Sequence, residues 1–396
     1  MAKMRRMTQE EDIPYHLRYG SKKGKKKSEN TKTESKNKAK VAVAKTSDSK
    51  KKNIVYLLGA GCSASFGYPV TSQIMPGICE HIFAAGQLED YKLQLTDSLS
   101  KIYSCFVPPY DKENLVDIIE LLSLVDYSCL YNLPPHPDMD IKSTDSLKEN
   151  LLRALVEMLT EYDLKKKDKE ARLSYKAFQK VLKDQINSHN VSIITTNYDM
   201  SIDLALSEDG LEIDYGIEYR NFDSEVISRP RDAGVKYFKL HGSHNWLKCN
   251  CCGMYYINSK GNISQRFFDN ELNYNNTCIC SDHARLQLVL VAPSLVRDVR
   301  DPNLLQIWNL AQESLRTADE LIFIGYSLPS EDIAIKSLLL RGINTNPRGS
   351  SRVVKTSVVL RGDSRKKAYY NLLNKKTMDF YAGGLEEWMK KAMKIK

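Results

Sequence analysis

Ile54-Val55-Tyr56-Leu57-Leu58-Gly59-Ala60-Gly61-Cys62-Ser63 decides how the rest of the chain is read. Five consecutive apolar residues without alternation predict a strand buried on both faces, as strands of parallel sheets are. Gly59 and Gly61 follow at once. Glycines at the carboxyl end of such a strand let backbone approach a pyrophosphate, and the following helix offers its free N–H groups and positive end. The next glycine, in Gly67-Tyr68-Pro69, comes too late for the usual dinucleotide spacing. A tight strand-to-helix turn with no ligand therefore stays open as the alternative.

Outward from this stretch, further strands are predicted at Val191–Thr196, Val235–Leu240, Leu286–Val291, Glu320–Ile324 and Val353–Leu360. Apolar residues at helical spacing predict helices at Asn114–Val125, Leu147–Leu164, Arg172–Ile186, Glu331–Leu340, Arg365–Asn374 and Leu385–Lys394. Strands alternating with helices mean an α/β fold with a mostly parallel sheet. Residues from about 100 to 190 hold almost no strand signal and read as a helical insertion. Residues from about 245 to 285 are rich in Cys, Asn and Tyr and read as a small module between two strands. The expected division is a basic arm over 1–52 and one domain over 53–396. A length of 396 residues is otherwise enough for two to three domain-sized units.

The net charge of +9 belongs to the arm. Residues 1–52 hold 17 of the 58 Lys/Arg and 6 of the 49 Asp/Glu, leaving 41 basic and 43 acidic residues beyond them. The body is near neutral, which argues against a basic nucleic-acid-binding domain. The arm, with Lys22-Lys23-Gly24-Lys25-Lys26-Lys27, has too little apolar surface to fold and is expected to be disordered. Lysine runs neutralise phosphates without reading sequence, so nucleic acid remains an open partner for it. No window of about 18 uninterrupted apolar residues is present, and the start has no apolar core of a leader. A cytoplasmic protein with no membrane partner is expected. Nine cysteines, an odd count, argue against a disulfide framework and for thiolate or metal chemistry in any clustered subset.

Four further motifs carry chemistry. Thr195-Thr196-Asn197-Tyr198-Asp199 ends the second strand, where the ligand crevice of an open α/β sheet lies. Asn197 offers a donor and an acceptor, and Asp199 accepts from ribose hydroxyls or braces the loop; a simple Asn/Asp turn is the alternative. Lys239-Leu240-His241-Gly242-Ser243 places an imidazole at a third strand end, with Gly242 clearing space beside it. Gly325-Tyr326-Ser327-Leu328-Pro329 follows the strand Glu320–Ile324 and either lines a dinucleotide or makes a plain turn. Cys249 and Cys252, then Cys278 and Cys280 after 25 intervening residues, supply four thiolates for a closed, structural zinc. Cys251 or His283 remains an alternative ligand.

Taken in order, these motifs resemble those of the sirtuins, and more closely the sirtuin-like domains of bacterial antiphage defence. The resemblance spans roughly residues 53–390. It implies a Rossmann-like domain with a small zinc-and-helix lobe and NAD between them. Carried over, Gly59, Ala60, Gly61 and Ser63 hold the NAD phosphates, Asn197 and Asp199 flank the nicotinamide ribose, and His241 is the base. Thr196, Gly325 and Ser327 line the NAD pocket. Deacylating sirtuins follow their Gly-x-Pro with Asp-Phe-Arg, where this chain has Val70-Thr71-Ser72. Where they carry Phe-Gly-Glu after the zinc module, it has Val291-Ala292-Pro293-Ser294-Leu295. The resemblance is therefore to the branch that gives the opened ribose to water, an NAD glycohydrolase. Relatives of this branch imply a homo-oligomer working with a partner such as a HerA-type ATPase or an Argonaute. An NAD-dependent deacylase and a non-catalytic NAD or ADP-ribose binder are the alternatives.

Overall fold

The computed structural model describes residues 51–83, 89–107, 113–164, 169–222, 226–229, 234–261, 263–268, 277–291, 301–330, 332–344, 354–373 and 378–394. The arm before residue 51 and the segment 292–295 lie outside them.

The apolar run of the opening stretch is β1 (Asn53–Leu58), with every residue after the first buried. It sits at the centre of a seven-stranded sheet in the order β12-β11-β10-β1-β2-β6-β3. The neighbours are β2 (Asn190–Thr195), β6 (Val235–Lys239), β10 (Glu320–Ile324) and β11 (Lys355–Val359), with β12 (Met378–Tyr381) and the two-residue β3 (Ile213–Asp214) at the edges. Every pairing is parallel. The strand order runs outward in both directions from β1, so the crevice opens above its carboxyl end.

The first helix, α1 (Ala60–Ala64), is one short turn out of the glycine loop. α2 (Thr71–Ile82), α3 (Asp90–Ile102), α4 (Ile118–Tyr131), α5 (Ile141–Leu164) and α6 (Lys169–Ser188) then separate β1 from β2. α2 to α5 close around a core of their own that includes Ile78, Leu95, Leu121 and Leu151. α6 belongs to the sheet instead: Phe178 and Trp388 both meet the ring of Tyr56, at 6.4 Å and 6.2 Å between centroids. Trp388 lies on α12 (Gly384–Lys394). Between these elements α7 (Ser201–Glu208) follows β2, α9 (Pro302–Thr317) precedes β10, and α10 (Ile333–Asn344) and α11 (Lys366–Leu372) follow β10 and β11. Side chains alternate along β1; Tyr56 faces α6 and α12, while α9 and α10 pack together on the other side.

A second, five-stranded sheet has the order β5-β4-β8-β7-β9. It is built from β4 (Tyr219–Asn221), β5 (Ile227–Ser228), β7 (Gly242–Cys249), β8 (Tyr255–Ile257) and β9 (Leu286–Leu290), with α8 (Ile263–Phe268) beside it. Leu247, Cys249, Tyr256, Phe267, Cys278 and Leu286 form its small core. No helix among the described residues is long and apolar enough to cross a membrane.

Some predicted bounds shift. The helix expected from Asn114 starts at Ile118, because the Asp117 carboxylate accepts from the Ile119 N–H and caps the helix there. The helix expected from Leu147 begins earlier, at Ile141.

Candidate functional site

The crevice forms where the carboxyl ends of β10, β1, β2 and β6 meet. Its wall includes Ala60, Ser63, Thr196, Asn197, Asp199 and His241, together with Gly325 and Ser327. Those eight residues, expected from four separate motifs, share one pocket. Gly59 and Gly61, expected to hold phosphates, are not part of its wall; they join the turn to the β10 loop through backbone, the Gly59 N–H donating to the Ile324 carbonyl at 3.0 Å and the Gly61 N–H to the Gly325 carbonyl at 2.9 Å. The two loops touch so closely that a Cβ on Gly325, whose φ is 66°, would lie 2.0 Å from the Cys62 nitrogen. Glycine is required there by space and by conformation alike.

Asn197 donates its amide to the Gly59 carbonyl at 3.0 Å and to Ser63 Oγ at 2.9 Å. Its Nδ2 is thereby used within the protein, which leaves Oδ1 as the atom that can accept from a ligand or a water. Ser63 Oγ in turn donates to Asp199 Oδ2 at 2.7 Å, while Asp199 Oδ1 accepts from the Ser201 N–H at 2.9 Å. Asp199 is buried and acts through Ser63 and the start of α7. It positions the glycine loop against Asn197.

His241 sits between Tyr198 and Trp308, with ring centroids 6.2 Å and 6.4 Å away. Its Nδ1 lies 3.2 Å from the Thr196 carbonyl. A carbonyl only accepts, so Nδ1 carries the proton and Nε2 is the basic nitrogen. Behind the site, Lys239 and Asp203 are both fully buried and paired at 2.8 Å. Lys239 Nζ also donates to the Asp199 carbonyl at 2.8 Å, and Tyr215 donates to Asp203 Oδ1 at 2.5 Å.

The pocket has contributors that the motifs did not single out. Ile74, Ile119 and Leu159 bring an apolar wall from α2, α4 and α5. Tyr68 adds a ring, and Asp332 adds a carboxylate beside the Gly325–Ser327 loop. Nothing in their spacing marks them, since helix faces packed into the lobe's own core carry the same apolar pattern.

The four expected cysteines converge. Cys249, Cys252, Cys278 and Cys280 hold all four Sγ atoms within 4.8 Å of one another. Cys249 and Cys280 are 3.8 Å apart and Cys252 and Cys278 3.6 Å. Four thiolates about 2.3 Å from a tetrahedral zinc stand about 3.8 Å from each other, so the set could hold that ion. Cys251 is exposed and donates to Asp282; that hydrogen bond, with some help from burial, pushes its thiol up to about 12. His283 is likewise outside the four-thiol group. Replacing Cys278 with serine is expected to abolish zinc binding, from about one ion per chain to none by atomic emission. It should also lower the melting temperature, because Cys278 is part of the module's core.

Residues 191–381 match the family model described as a SIR2-like domain. That stretch carries Asn197, Asp199, His241, the four cysteines and the Gly325–Ser327 loop; the glycine turn of β1 precedes it. No curated protein sequence matches the chain. Among solved structures, one titled for the structural basis of sirtuin substrate affinity is 14% identical with a TM-score of 0.44, covering 87% of this chain and 95% of that one. A Sir2 structure with a p53 peptide and NAD+ is 13% identical with a TM-score of 0.41, covering 87% and 94%.

Proposed function

We propose that the protein hydrolyses NAD at the nicotinamide–ribose bond, giving nicotinamide and ADP-ribose. The observation that carries this reading is the convergence of His241, Asn197 and the glycine turn on one crevice above β1. The dinucleotide's pyrophosphate would lie beside Ala60 and Ser63, the residues of the turn that line the crevice, since the Gly59, Gly61 and Cys62 N–H groups already donate to carbonyls of the protein. Its nicotinamide ribose would lie between the tips of β2 and β6. The C–N bond breaks with its electron pair going to the pyridinium nitrogen, which leaves as neutral nicotinamide. His241 Nε2 accepts a ribose hydroxyl proton as positive charge develops on the sugar. Asn197 Oδ1 accepts from the one water that then adds to the ribose carbon; the proton this water loses returns to the ribose oxygen that His241 deprotonated, and the imidazolium releases its own to solvent. Ile74, Ile119 and Leu159 keep bulk water from that carbon.

The zinc that the four cysteines fit would hold the second sheet together; four thiolates leave no open coordination position for chemistry. On the same reading the protein is an antiphage effector that depletes NAD. It would work as a homo-oligomer under a partner such as a HerA-type ATPase or an Argonaute, because unrestrained hydrolysis would kill the host. Resemblance to the defence branch of sirtuin-like proteins supports this part.

The test is incubation of the purified chain, alone and with its neighbouring gene product, with NAD and separately with NAD plus an acetyl-lysine peptide. Nicotinamide release at the same rate with and without peptide is expected. Release that depends on the peptide, with loss of its acetyl group, would make the protein a deacylase. Tight NAD or ADP-ribose retention without turnover would make it a binding module.

A further inference from the structure

We propose that Tyr198 is a positioning residue for His241, its hydroxyl fixing the end of β9 against the turn that carries the imidazole. This deepens the hydrolysis reading above and rests on it. His241 lies between the end of β6 and the start of β7, so no regular element holds its backbone and neighbouring chain must do so. The bond from Nδ1 to the Thr196 carbonyl fixes which ring nitrogen is basic. Where that nitrogen stands also depends on the backbone behind it.

The Val291 N–H donates to the His241 carbonyl at 2.9 Å, and Tyr198 Oη donates to the Val291 carbonyl at 2.8 Å. Val291 is thus bonded both to the base and to the tip of β2. On the far side of the turn, the Tyr198 carbonyl accepts from the His244 N–H at 3.2 Å. The stretch His241-Gly242-Ser243 therefore runs between two anchors supplied by one residue. It has no slack: a Cβ on Gly242, whose φ is 72°, would lie 2.2 Å from the Val289 carbonyl oxygen. β9 presses directly on the turn, and a shift at its end moves the base.

Tyr198 is itself well placed to be an anchor. Its half-buried ring packs against the core closed by α2 to α5, and it lines the crevice beside the imidazole. Trp308 flanks the imidazole as well, and its Nε1 donates to the Leu240 carbonyl at 2.9 Å. Each ring beside His241 thus also bonds backbone near it. Of the two, Tyr198 can lose its polar atom while the ring and its packing stay. A proton acceptor displaced by about 1 Å costs up to about a hundredfold in rate, with no loss of ligand contacts made elsewhere.

The experiment compares wild type with Tyr198→Phe in the full chain. The first measurement is amide hydrogen exchange at Val291, which should quicken about tenfold in the variant as the end of β9 loosens. The second is nicotinamide release from NAD, where kcat should fall about 10- to 100-fold. ADP-ribose affinity by calorimetry should stay within about twofold. An unchanged kcat would overturn the proposal. So would kcat and ADP-ribose affinity falling together, since that would mean a crevice loosened as a whole. Unchanged exchange at Val291 would overturn it whichever way activity moved. Wild type that released no nicotinamide, alone or with its neighbouring gene product, would instead remove the hydrolysis reading, while the exchange comparison would still decide whether Tyr198 holds the turn.

Discussion

His241→Ala should lower kcat/KM for NAD by about 10² to 10⁴ while leaving the affinity for ADP-ribose within a few-fold of wild type. The imidazole donates from Nδ1 to a backbone carbonyl, and in the proposed reaction Nε2 is the proton acceptor, so its removal takes away a base and no phosphate contact. Asn197→Ala should behave differently. Its amide joins the Gly59 carbonyl to Ser63 Oγ, so truncation removes a brace of the glycine turn as well as Oδ1. Binding and turnover should fall together in that variant. Nicotinamide release under saturating and limiting NAD separates the two patterns. Full activity in His241→Ala would withdraw the base assignment, and an Asn197→Ala variant that lost only kcat would contradict the bracing role of its amide.

The sheet was legible because its strands are buried on both faces: five continuous apolar residues after Asn53 can do little else. Most of the second sheet was not: β9 was read as a strand, but β4, β5 and β8 are two or three residues long and too short to show alternation. β7 was hidden for another reason. It buries Ser243, His244 and Asn245, so its polar sequence reads as a loop. α9 announced itself only by Asp301-Pro302, where the Asp301 carboxylate accepts from the Asn303 and Leu304 N–H groups. In the site, residues at strand tips could be read because topology fixes where tips point. Ile119, Leu159 and Asp332 enter the crevice by tertiary packing, and no local pattern encodes that. The glycine turn also had a spacing that matched no standard fingerprint; Gly61 and Gly325 meet loop to loop, a contact between residues more than two hundred and fifty positions apart.

Lys239→Met should be the most destabilising single change behind the site. Lys239 and Asp203 are fully buried and 2.8 Å apart, so removing one strands the other's charge away from water. Breaking such a pair costs about 3 to 5 kcal/mol, readable as a lower urea midpoint with an unchanged slope. Adding Asp203→Asn should recover part of the loss: the charge disappears, while its amide oxygen still accepts from Tyr215. A double variant as unstable as the sum of the two single ones would mean that the pair is not coupled. Activity should follow a different rule. Lys239 Nζ also holds the Asp199 carbonyl, and Asp199 holds Ser63, which meets Asn197. The double variant regains its fold without regaining that anchor, so nicotinamide release should stay depressed after stability has returned. If stability and activity recovered in step, the ion pair would matter to the catalytic loop only by keeping the protein folded.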